Sequence, residues 1–406
     1  MNLNKKLLFG LAAAAALGLS APMLSAQDAA PKSIKIGYAI SKTGPNAGGA
    51  NTTTLPNYML WMRETNEAGG LKLPGGQRRM IEFVEYDDRS QSEEAVRNID
   101  RLVNQDKVDL LLPPWGTAMN LAVAPAFNRG GFPHLASTFF VERQPELVRR
   151  WTNMFLFLDR PSTAITALTD LLATLKDKGL GNTVALASVQ DQFGLELVGA
   201  ARAGLQRAGF QVVMDRQYPP GTQDLAPIVA EAVRLRPEMF LAFSYPPDTL
   251  ALTEQSRIAG LNPKVFYTAV GTAFPLYKQR FGAVSEGVMG IGGVNVDDPK
   301  IRDYIARHNR VVGREPDRWA STTTYTTLQV LTQAIERAGL DKAALIRDIG
   351  ANSFDTILGP IRFQNNQRVD QWWVGQWQGG EFVALAPTRI GGTRAPVFPK
   401  PAWPSA

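Results

Sequence analysis

Strand-like and helix-like segments alternate along most of this chain, and this alternation restricts the possible folds more than any other feature. Short apolar runs end in turns, and amphipathic helical segments follow them. The first series contains predicted strands at Ile34–Ile40, Met80–Tyr86, Val108–Leu112 and Phe132–Ala136, with predicted helices at Thr54–Ala68 and Ser92–Asn104. Strands that alternate with helices build a parallel sheet covered on both faces.

A second series of the same kind follows. Its predicted strands are Thr183–Val189, Phe210–Arg216, Met239–Phe243 and Val265–Thr268, and its predicted helices are Ser162–Lys176, Phe193–Ala208, Leu225–Leu235 and Asp248–Ala259. Later elements are a strand at Val288–Val294, helices at Pro299–Val311 and Trp319–Ala338, a turn at Phe354–Gly359, and a hairpin of Ile361–Gln364 with Trp372–Gln378. We therefore predict an α/β fold with two Rossmann-like lobes joined by a multi-strand hinge.

Helices that come after two similar lobes imply that the chain crosses between the lobes more than once. We place the crossings near Phe155–Arg160, Ile291–Asp297 and Leu358–Ile361. The predicted division is residues 1–26 as a signal peptide, 32–156 plus 292–358 as lobe 1, 157–291 plus 359–385 as lobe 2, and 386–406 as a Pro-rich tail. Several crossing strands permit closure around a ligand.

The N-terminus has the pattern of a secretory signal. Lys5 and Lys6 precede an apolar run from Leu7 to Leu19, and Ser25-Ala26 offers a small-residue cleavage site. The apolar run is shorter than the ~20 residues of a membrane-spanning helix. The chain contains no cysteine, so no lipid-bearing cysteine follows the signal. We expect a cleaved, exported protein that is free in the periplasm.

The formal charge of +6 is spread over 406 residues. A nucleic-acid-binding surface needs basic residues clustered in a stripe, and no such run is present. We therefore expect no nucleic-acid partner.

The segment from Leu110 to Phe140 contains two predicted strand ends, one helix apart. Each strand end is followed by small hydroxyl residues, Thr117 after the first and Ser137-Thr138 after the second. Ligands bind outside the carboxyl ends of the strands in an open parallel sheet, and a helix N-terminus there offers N–H groups to an anion. The segment therefore predicts a binding site for a small carboxylate.

Residues typical of catalysis are sparse. The two histidines, His134 and His308, lie in an apolar run and on a helix, at a spacing that fits no metal motif. Nucleophile-elbow and phosphate-loop motifs are absent, and the acidic pairs such as Asp87-Asp88 have the positions of turns and helix caps. We expect no enzyme activity, catalytic residue, metal or cofactor.

Six short motifs in order along the chain, from about residue 32 to residue 380, carry a resemblance to a known family. They are Ile34–Pro45 (IKIGYAISKTGP), Asn66–Leu71 (NEAGGL), Glu85–Asp88 (EYDD), Ser256–Leu261 (SRIAGL), Phe281–Gly287 (FGAVSEG) and Ser353–Gly359 (SFDTILG). With these motifs the chain resembles the periplasmic leucine/isoleucine/valine-binding family, the type I solute-binding proteins of ABC importers. That family holds an amino acid between its two lobes.

The resemblance implies a set of ligand-binding positions. The positions for the carboxylate and the pocket wall on lobe 1 fall on Trp115, Gly116, Thr117, Ala136, Ser137 and Thr138; those on lobe 2 fall on Phe193, Tyr245 and Val270. Val270 stands where the family has the acid that binds the ligand ammonium, although Asp248 or Asp191 offers an acid nearby. Burying an ammonium group without an acceptor costs roughly 1–3 kcal/mol or more.

The resemblance implies a monomeric receptor that delivers a branched-chain or hydrophobic amino acid, or a related small carboxylate, to an ABC importer permease. Val270 and the aromatic side chains favour one alternative, a receptor for an aromatic or other carboxylate that lacks the ammonium group. A ligand-sensing regulatory protein is a further alternative, because the same fold serves as a sensor. An exported enzyme is the third class, which no residue constellation supports.

Overall fold

The computed structural model describes residues 32–403, which alternate between strands and helices. The strands are β1 (Ile34–Ile40), β2 (Leu71–Lys72), β3 (Arg78–Arg79), β4 (Ile81–Asp87), β5 (Leu110–Leu111), β6 (His134–Ala136), β7 (Met154–Leu156), β8 (Thr183–Val189), β9 (Gln211–Tyr218), β10 (Met239–Phe243), β11 (Val265–Thr268), β12 (Met289–Ile291), β13 (Ser353–Thr356), β14 (Gly359–Arg362), β15 (Val374–Gln378) and β16 (Glu381–Ala386). The predicted signal peptide lies outside the described residues.

The helices flank these strands. They are α1 (Ala47–Thr53), α2 (Leu55–Glu67), α3 (Ser92–Asn104), α4 (Thr117–Arg129), α5 (Gln144–Arg150), α6 (Pro161–Lys176), α7 (Gln192–Arg207), α8 (Ala226–Leu235), α9 (Pro246–Ile258), α10 (Pro275–Phe281), α11 (Pro299–Val312), α12 (Ala320–Ala338) and α13 (Lys342–Ala351). No helix within residues 32–403 is long and apolar enough to cross a membrane.

The first parallel sheet has the strand order β4-β1-β5. Strand β1 lies in its centre, where Ile34 pairs with Ile81 and Gly37 pairs with both Val84 and Leu111. Six of the seven β1 residues are buried, as expected for a central strand covered on both faces. Strands β6 and β7 form a separate parallel pair that begins at His134 and Met154.

The second sheet contains seven strands in the order β16-β15-β12-β11-β10-β8-β9. Strands β8 to β12 run parallel, and every residue of β10 is buried. Strand β15 adds antiparallel to β12, and β16 continues the sheet as its antiparallel neighbour. The parallel strands of the first sheet, the β6–β7 pair and the second sheet, with the helices around them, confirm the predicted α/β fold class with two lobes.

The structure corrects the predicted end of the chain. The predicted hairpin of Ile361–Gln364 with Trp372–Gln378 is wrong, because β14 pairs with β13 and β15 pairs with β16. The predicted turn at Phe354–Gly359 includes most of β13 and closes a tight two-residue loop. Gly359 follows that loop with a φ of 88°, which glycine adopts without steric cost.

Residues 387–403 of the predicted Pro-rich tail contain no strand and only one short turn of helix, and their contacts attach them to the second sheet. The Trp403 ring packs on Phe266 in β11 at a centroid distance of 4.9 Å. The Trp403 indole N–H donates to the Val284 carbonyl at 2.9 Å. The tail therefore covers apolar surface of the second sheet.

Candidate ligand-binding site

A small cavity lies at the carboxyl ends of strands from both parallel arrangements. Its lining comes from the loops after β5, β6, β8, β10 and β11, with additions near β7 and α12: Trp115, Gly116, Thr117, Thr138, Phe140, Leu158, Phe193, Tyr245, Val270, Trp319 and Ala320. We call the side formed by residues 115–117, 138 and 140 the first wall, and the side formed by Phe193, Tyr245 and Val270 the second wall. The strand ends of an open α/β sheet are the usual position for a ligand.

The first wall carries two hydroxyl groups, from Thr117 at the start of helix α4 and from Thr138 after β6. Gly116 has a φ of 95° and precedes the helix, and its N–H donates to the Thr138 Oγ1 at 2.9 Å. The Phe140 N–H donates to the Thr117 Oγ1 at 3.2 Å. Each hydroxyl oxygen thus already accepts a backbone N–H, and no acceptor in residues 32–403 takes either hydroxyl proton. Both protons are available to a negatively charged ligand.

A buried amide holds the turn that precedes helix α4. The Asn120 Nδ2 group donates to the Pro114 and Gly116 carbonyl oxygens, each at 2.9 Å. The His134 Nε2–H donates to the Asn120 Oδ1 at 2.9 Å. Burial lowers the pKa of His134 to about 3, so the imidazole is neutral and serves as a hydrogen-bond donor. His134 therefore has a structural role, as the sequence predicts.

Trp115 is held as a flat side of the first wall. Its indole N–H donates to the Thr53 Oγ1 at 3.0 Å, and its ring lies 5.8 Å from the Tyr245 ring across the cavity. A Cβ at Gly49 would come 2.1 Å from the indole, so this position requires glycine. The two walls are therefore in contact through aromatic rings.

The second wall is aromatic and apolar. The Phe193 and Tyr245 rings stack with a centroid distance of 5.1 Å and an interplanar angle of 22°. Val270 completes this wall; its N–H donates to the Ser244 carbonyl and its carbonyl accepts the Thr249 hydroxyl. No charged side chain lies among the cavity-lining residues of the described chain.

Two carboxyl groups lie behind the second wall. The Tyr245 hydroxyl donates to the Asp191 Oδ2 at 2.8 Å, and the Tyr245 N–H donates to the Asp248 Oδ2 at 3.2 Å. The Tyr218 hydroxyl also donates to that Asp248 oxygen. Burial raises the pKa of Asp248 to about 6 and raises the pKa of Asp191. The two acids bind protein donors and do not line the cavity.

Seven of the nine predicted site residues line this one cavity. The two exceptions are Ala136 and Ser137. Ala136 is the last residue of β6, and the Ser137 hydroxyl accepts from the Thr324 hydroxyl of α12 at 3.3 Å. The chain bends at these two residues after β6 ends, so Thr138 lines the cavity while the Ser137 hydroxyl lies against α12.

Four lining residues were absent from the prediction: Phe140, Leu158, Trp319 and Ala320. Phe140 could have been found, since it lies two residues after Thr138. Trp319 and Ala320 reach the cavity only through the long-range position of α12. The Trp319 indole N–H is buried with no hydrogen-bond partner in residues 32–403, which adds an unused donor to a lining residue.

The other polar candidates have structural roles. Asp87 accepts the Lys42 and Thr43 N–H groups, and Asp88 accepts the Ser41 hydroxyl at 2.6 Å. The described residues contain no group of three or more potential ligands suited to a metal ion. A larger groove of about 720 Å³ lies between α6 and residues 385–396, but none of the predicted site residues lines it.

Comparison with known proteins identifies the family of this chain. A family model described as periplasmic binding protein matches residues 33–381. The Leu/Ile/Val-binding protein of Escherichia coli K12 is 24% identical over 302 residues, which cover 73% of this chain and 78% of that protein.

Two solved structures share the fold. The LivJ branched-chain amino acid binding protein of Streptococcus pneumoniae, in complex with isoleucine, has a TM-score of 0.73, 18% identity, and coverage of 87% of this chain and 98% of that one. A solute-binding protein of R. palustris in complex with benzoate has a TM-score of 0.72, 19% identity, and coverage of 87% and 96%. The family model spans most of the chain and the solved structures share its fold, so this chain belongs to the periplasmic binding protein family.

Proposed function

We propose that this protein captures a small carboxylate between the first and second walls and delivers it to the permease of an ABC importer. The protein acts as a monomer in the periplasm and releases its ligand unchanged. Lobe 1 (32–156 plus 292–358) carries the first wall, and lobe 2 (157–291 plus 359–385) carries the second. Similar proteins include a Leu/Ile/Val-binding protein and two solved binding proteins, one in complex with isoleucine and one with benzoate.

The observation that carries this proposal is the pair of unused hydroxyl protons on the first wall. Thr117 and Thr138 each accept a backbone N–H and keep a proton to donate. Thr117 is the first residue of α4 and Thr138 contacts Gly116 just before it, so the partial positive charge of the helix N-terminus favours an anion beside both. Two charge-assisted hydrogen bonds and a helix terminus are the means by which proteins bind a carboxylate without a cationic side chain.

The second wall favours an aromatic or apolar carboxylate that lacks an ammonium group. Phe193 and Tyr245 present stacked rings, and Val270 stands in the cavity where the family has an acid. An ammonium group facing this wall would lose its hydration and gain no acceptor. A ring of the ligand would instead gain aromatic contacts worth about 0.5–1.5 kcal/mol each.

Capture requires movement of the two walls. The cavity volume is about 30 Å³. A cavity of about 150 Å³ accommodates benzene. A benzoate-sized ligand therefore enters only when the walls separate or the Trp115 and Tyr245 rings turn aside. Separation of two lobes about the predicted crossings is the simpler route, since each wall is rigidly hydrogen-bonded within itself.

Calorimetric titration with paired ligands tests the proposal. Benzoate and benzamide share a ring but differ in charge, and phenylpyruvate and phenylalanine share a ring and carboxylate but differ in the ammonium group. We expect benzoate and phenylpyruvate to bind at least about tenfold more tightly than their partners. Equal binding of benzamide would contradict the carboxylate site, and failure of all acids to bind folded protein would overturn the proposal.

A branched-chain amino acid is the second candidate ligand, because the curated relatives have Leu/Ile/Val-binding names. Its ammonium group would need Asp191 as an acceptor, but that carboxylate already accepts a hydrogen bond from the Tyr245 hydroxyl. Tyr245 would have to turn away to expose that carboxylate. Tight binding of leucine or valine, with none of benzoate, would favour this candidate over the first.

A further inference from the structure

A second cavity, of about 230 Å³, lies between strand β14 and the loop that leads to β15. It shares no lining residue with the cavity between the first and second walls, which we call the cleft cavity. The charged residues in its lining are Arg362, Arg368 and Asp370, and Gln364 adds a polar amide. The predicted ligand site does not account for this group of residues.

Arg368 is the unusual member of this lining. Only 6% of the residue is exposed, and its N–H donates to the Leu156 carbonyl at the end of β7, at 2.9 Å. Its Nη1 atom is buried without a hydrogen-bond partner. No side chain or carbonyl in residues 32–403 forms a hydrogen bond or ion pair with this guanidinium. The Arg368 backbone is therefore held by a hydrogen bond, while its buried guanidinium lies in the lining of the cavity without a hydrogen-bond partner in the described residues.

The nearby carboxylate of Asp370 attracts Arg368 and works against the lowering of its pKa by burial, but within residues 32–403 it forms no ion pair with that guanidinium. Asp370 directs its carboxylate to Arg389, with an Nη1–Oδ1 distance of 2.5 Å, on the exposed side of the loop. Arg362 is exposed and adds a second positive charge to the lining. Two arginines and one aspartate, itself paired elsewhere, leave the cavity positive.

A buried guanidinium is costly unless an anion accompanies it. Burial lowers the pKa of Arg368 to about 10, which still leaves the group charged at neutral pH. The planar fork of N–H donors matches the spacing of the oxygens in a carboxylate, sulfate or phosphate. The volume of the cavity suits such a group and exceeds that of one water molecule.

We propose that this cavity is a second binding site, for a small oxyanion, with Arg368 as its main ligand and Arg362 at its open side. The site is independent of the ligand that the cleft binds. Phosphate, sulfate and a short carboxylate share the chemistry that Arg368 recognises, and the experiment distinguishes among them.

Calorimetric titration of the purified protein with sodium phosphate, sodium sulfate and sodium acetate, at low ionic strength, tests the site. Acetate is also titrated into Thr138→Val, so that binding in the cleft is counted separately. We expect saturable binding of at least one anion, weakened about tenfold or more in Arg368→Met. Arg302→Met removes an exposed arginine of α11 and should bind as the unaltered protein does.

Asp370→Asn provides a test in the opposite direction. It removes the negative charge of the lining, so oxyanion binding should tighten by about threefold or more. Equal binding by Arg368→Met and the unaltered protein would overturn the site, as would no saturable binding of any of the three anions. If Arg368→Met does not fold, the test rests on the unaltered protein and Asp370→Asn. The proposal is then overturned if the unaltered protein binds none of the anions, or if Asp370→Asn binds them more weakly.

Discussion

The hydroxyl groups on the two walls of the cleft cavity differ in whether their protons are already used in hydrogen bonds. On the first wall, the hydroxyls of Thr117 and Thr138 accept backbone N–H groups and keep their protons for a ligand. On the second wall, the Tyr245 hydroxyl is already donated to Asp191, and Asp248 holds the backbone behind it. The first wall therefore offers hydrogen-bond donors to the proposed carboxylate, whereas the second wall offers an apolar and aromatic surface.

The largest expected effect comes from placing a charge on the second wall. Val270→Asp should weaken benzoate binding more than about a hundredfold, because two negative charges would share a water-poor cavity. Calorimetric titration with benzoate and phenylalanine measures this, and phenylalanine should gain affinity relative to benzoate. Val270→Asn has the same shape without the charge and is the control. Unchanged benzoate binding by both variants would show that Val270 does not face the ligand.

The next effect comes from removing a donor from the first wall. Thr138→Val should weaken benzoate binding about tenfold or more, and it should lower the free energy of unfolding by about 1–3 kcal/mol because the Gly116 N–H loses its acceptor. Titration and urea denaturation measure the two changes. Thr138→Ser keeps the hydroxyl and should stay near the original affinity. Equal affinities of the Ser and Val variants would remove this hydroxyl from the site.

The walls should also differ in their response to pH. The two acids with raised pKa values, Asp191 and Asp248, both lie behind the second wall. The pKa of Asp248 is about 6 in the folded protein and near 3.8 in the unfolded chain. Between these values the folded state holds a proton that the unfolded state releases. The contribution of this group to stability is therefore greatest below about pH 4 and falls as pH rises through 6.

The size of this pH effect is about 2–3 kcal/mol for Asp248 alone. Urea denaturation at pH 4 and pH 7 measures the free energy of unfolding of the original protein and of Asp248→Asn. Between pH 4 and pH 7, the original protein should lose about 2–3 kcal/mol of unfolding free energy relative to Asp248→Asn. A constant difference would mean that the folded carboxyl has an ordinary pKa.

The smallest effect on binding is expected for Tyr245→Phe. The ring keeps its stacking on Phe193, so benzoate affinity should change less than about threefold. The free energy of unfolding should fall by about 1 kcal/mol because Asp191 loses a hydrogen bond. If the variant instead lost as much affinity as Thr138→Val, the second wall would act through its hydroxyl, and the contrast between the walls would fail.

Local patterns predicted most of the elements that form the cavity. Strands β1, β8, β10 and β11 and helix α3 have the predicted bounds, because continuous apolar runs and helical periodicity depend on neighbouring residues. The pairing of β15 with β12 and β16 escaped prediction. The pairing with β12 joins segments more than eighty residues apart, for which the sequence has no local signal. The pairing with β16 was missed although Gly379-Gly380 between the two strands is a hairpin-turn signal.

For the candidate site, too, local features were predictable from the sequence and long-range contacts were not. The sequence by itself determined that hydroxyl residues follow two strand ends and that aromatic residues follow two others; that Val270 replaces an acid is only what the family resemblance implies. Only the tertiary structure decided that Thr138 faces the cavity while Ser137 turns to α12, that Trp319 arrives from a distant segment, and that Arg368 is buried without a partner. The physical reason is that composition and periodicity are local, whereas the direction of a side chain and its partners depend on how distant elements pack.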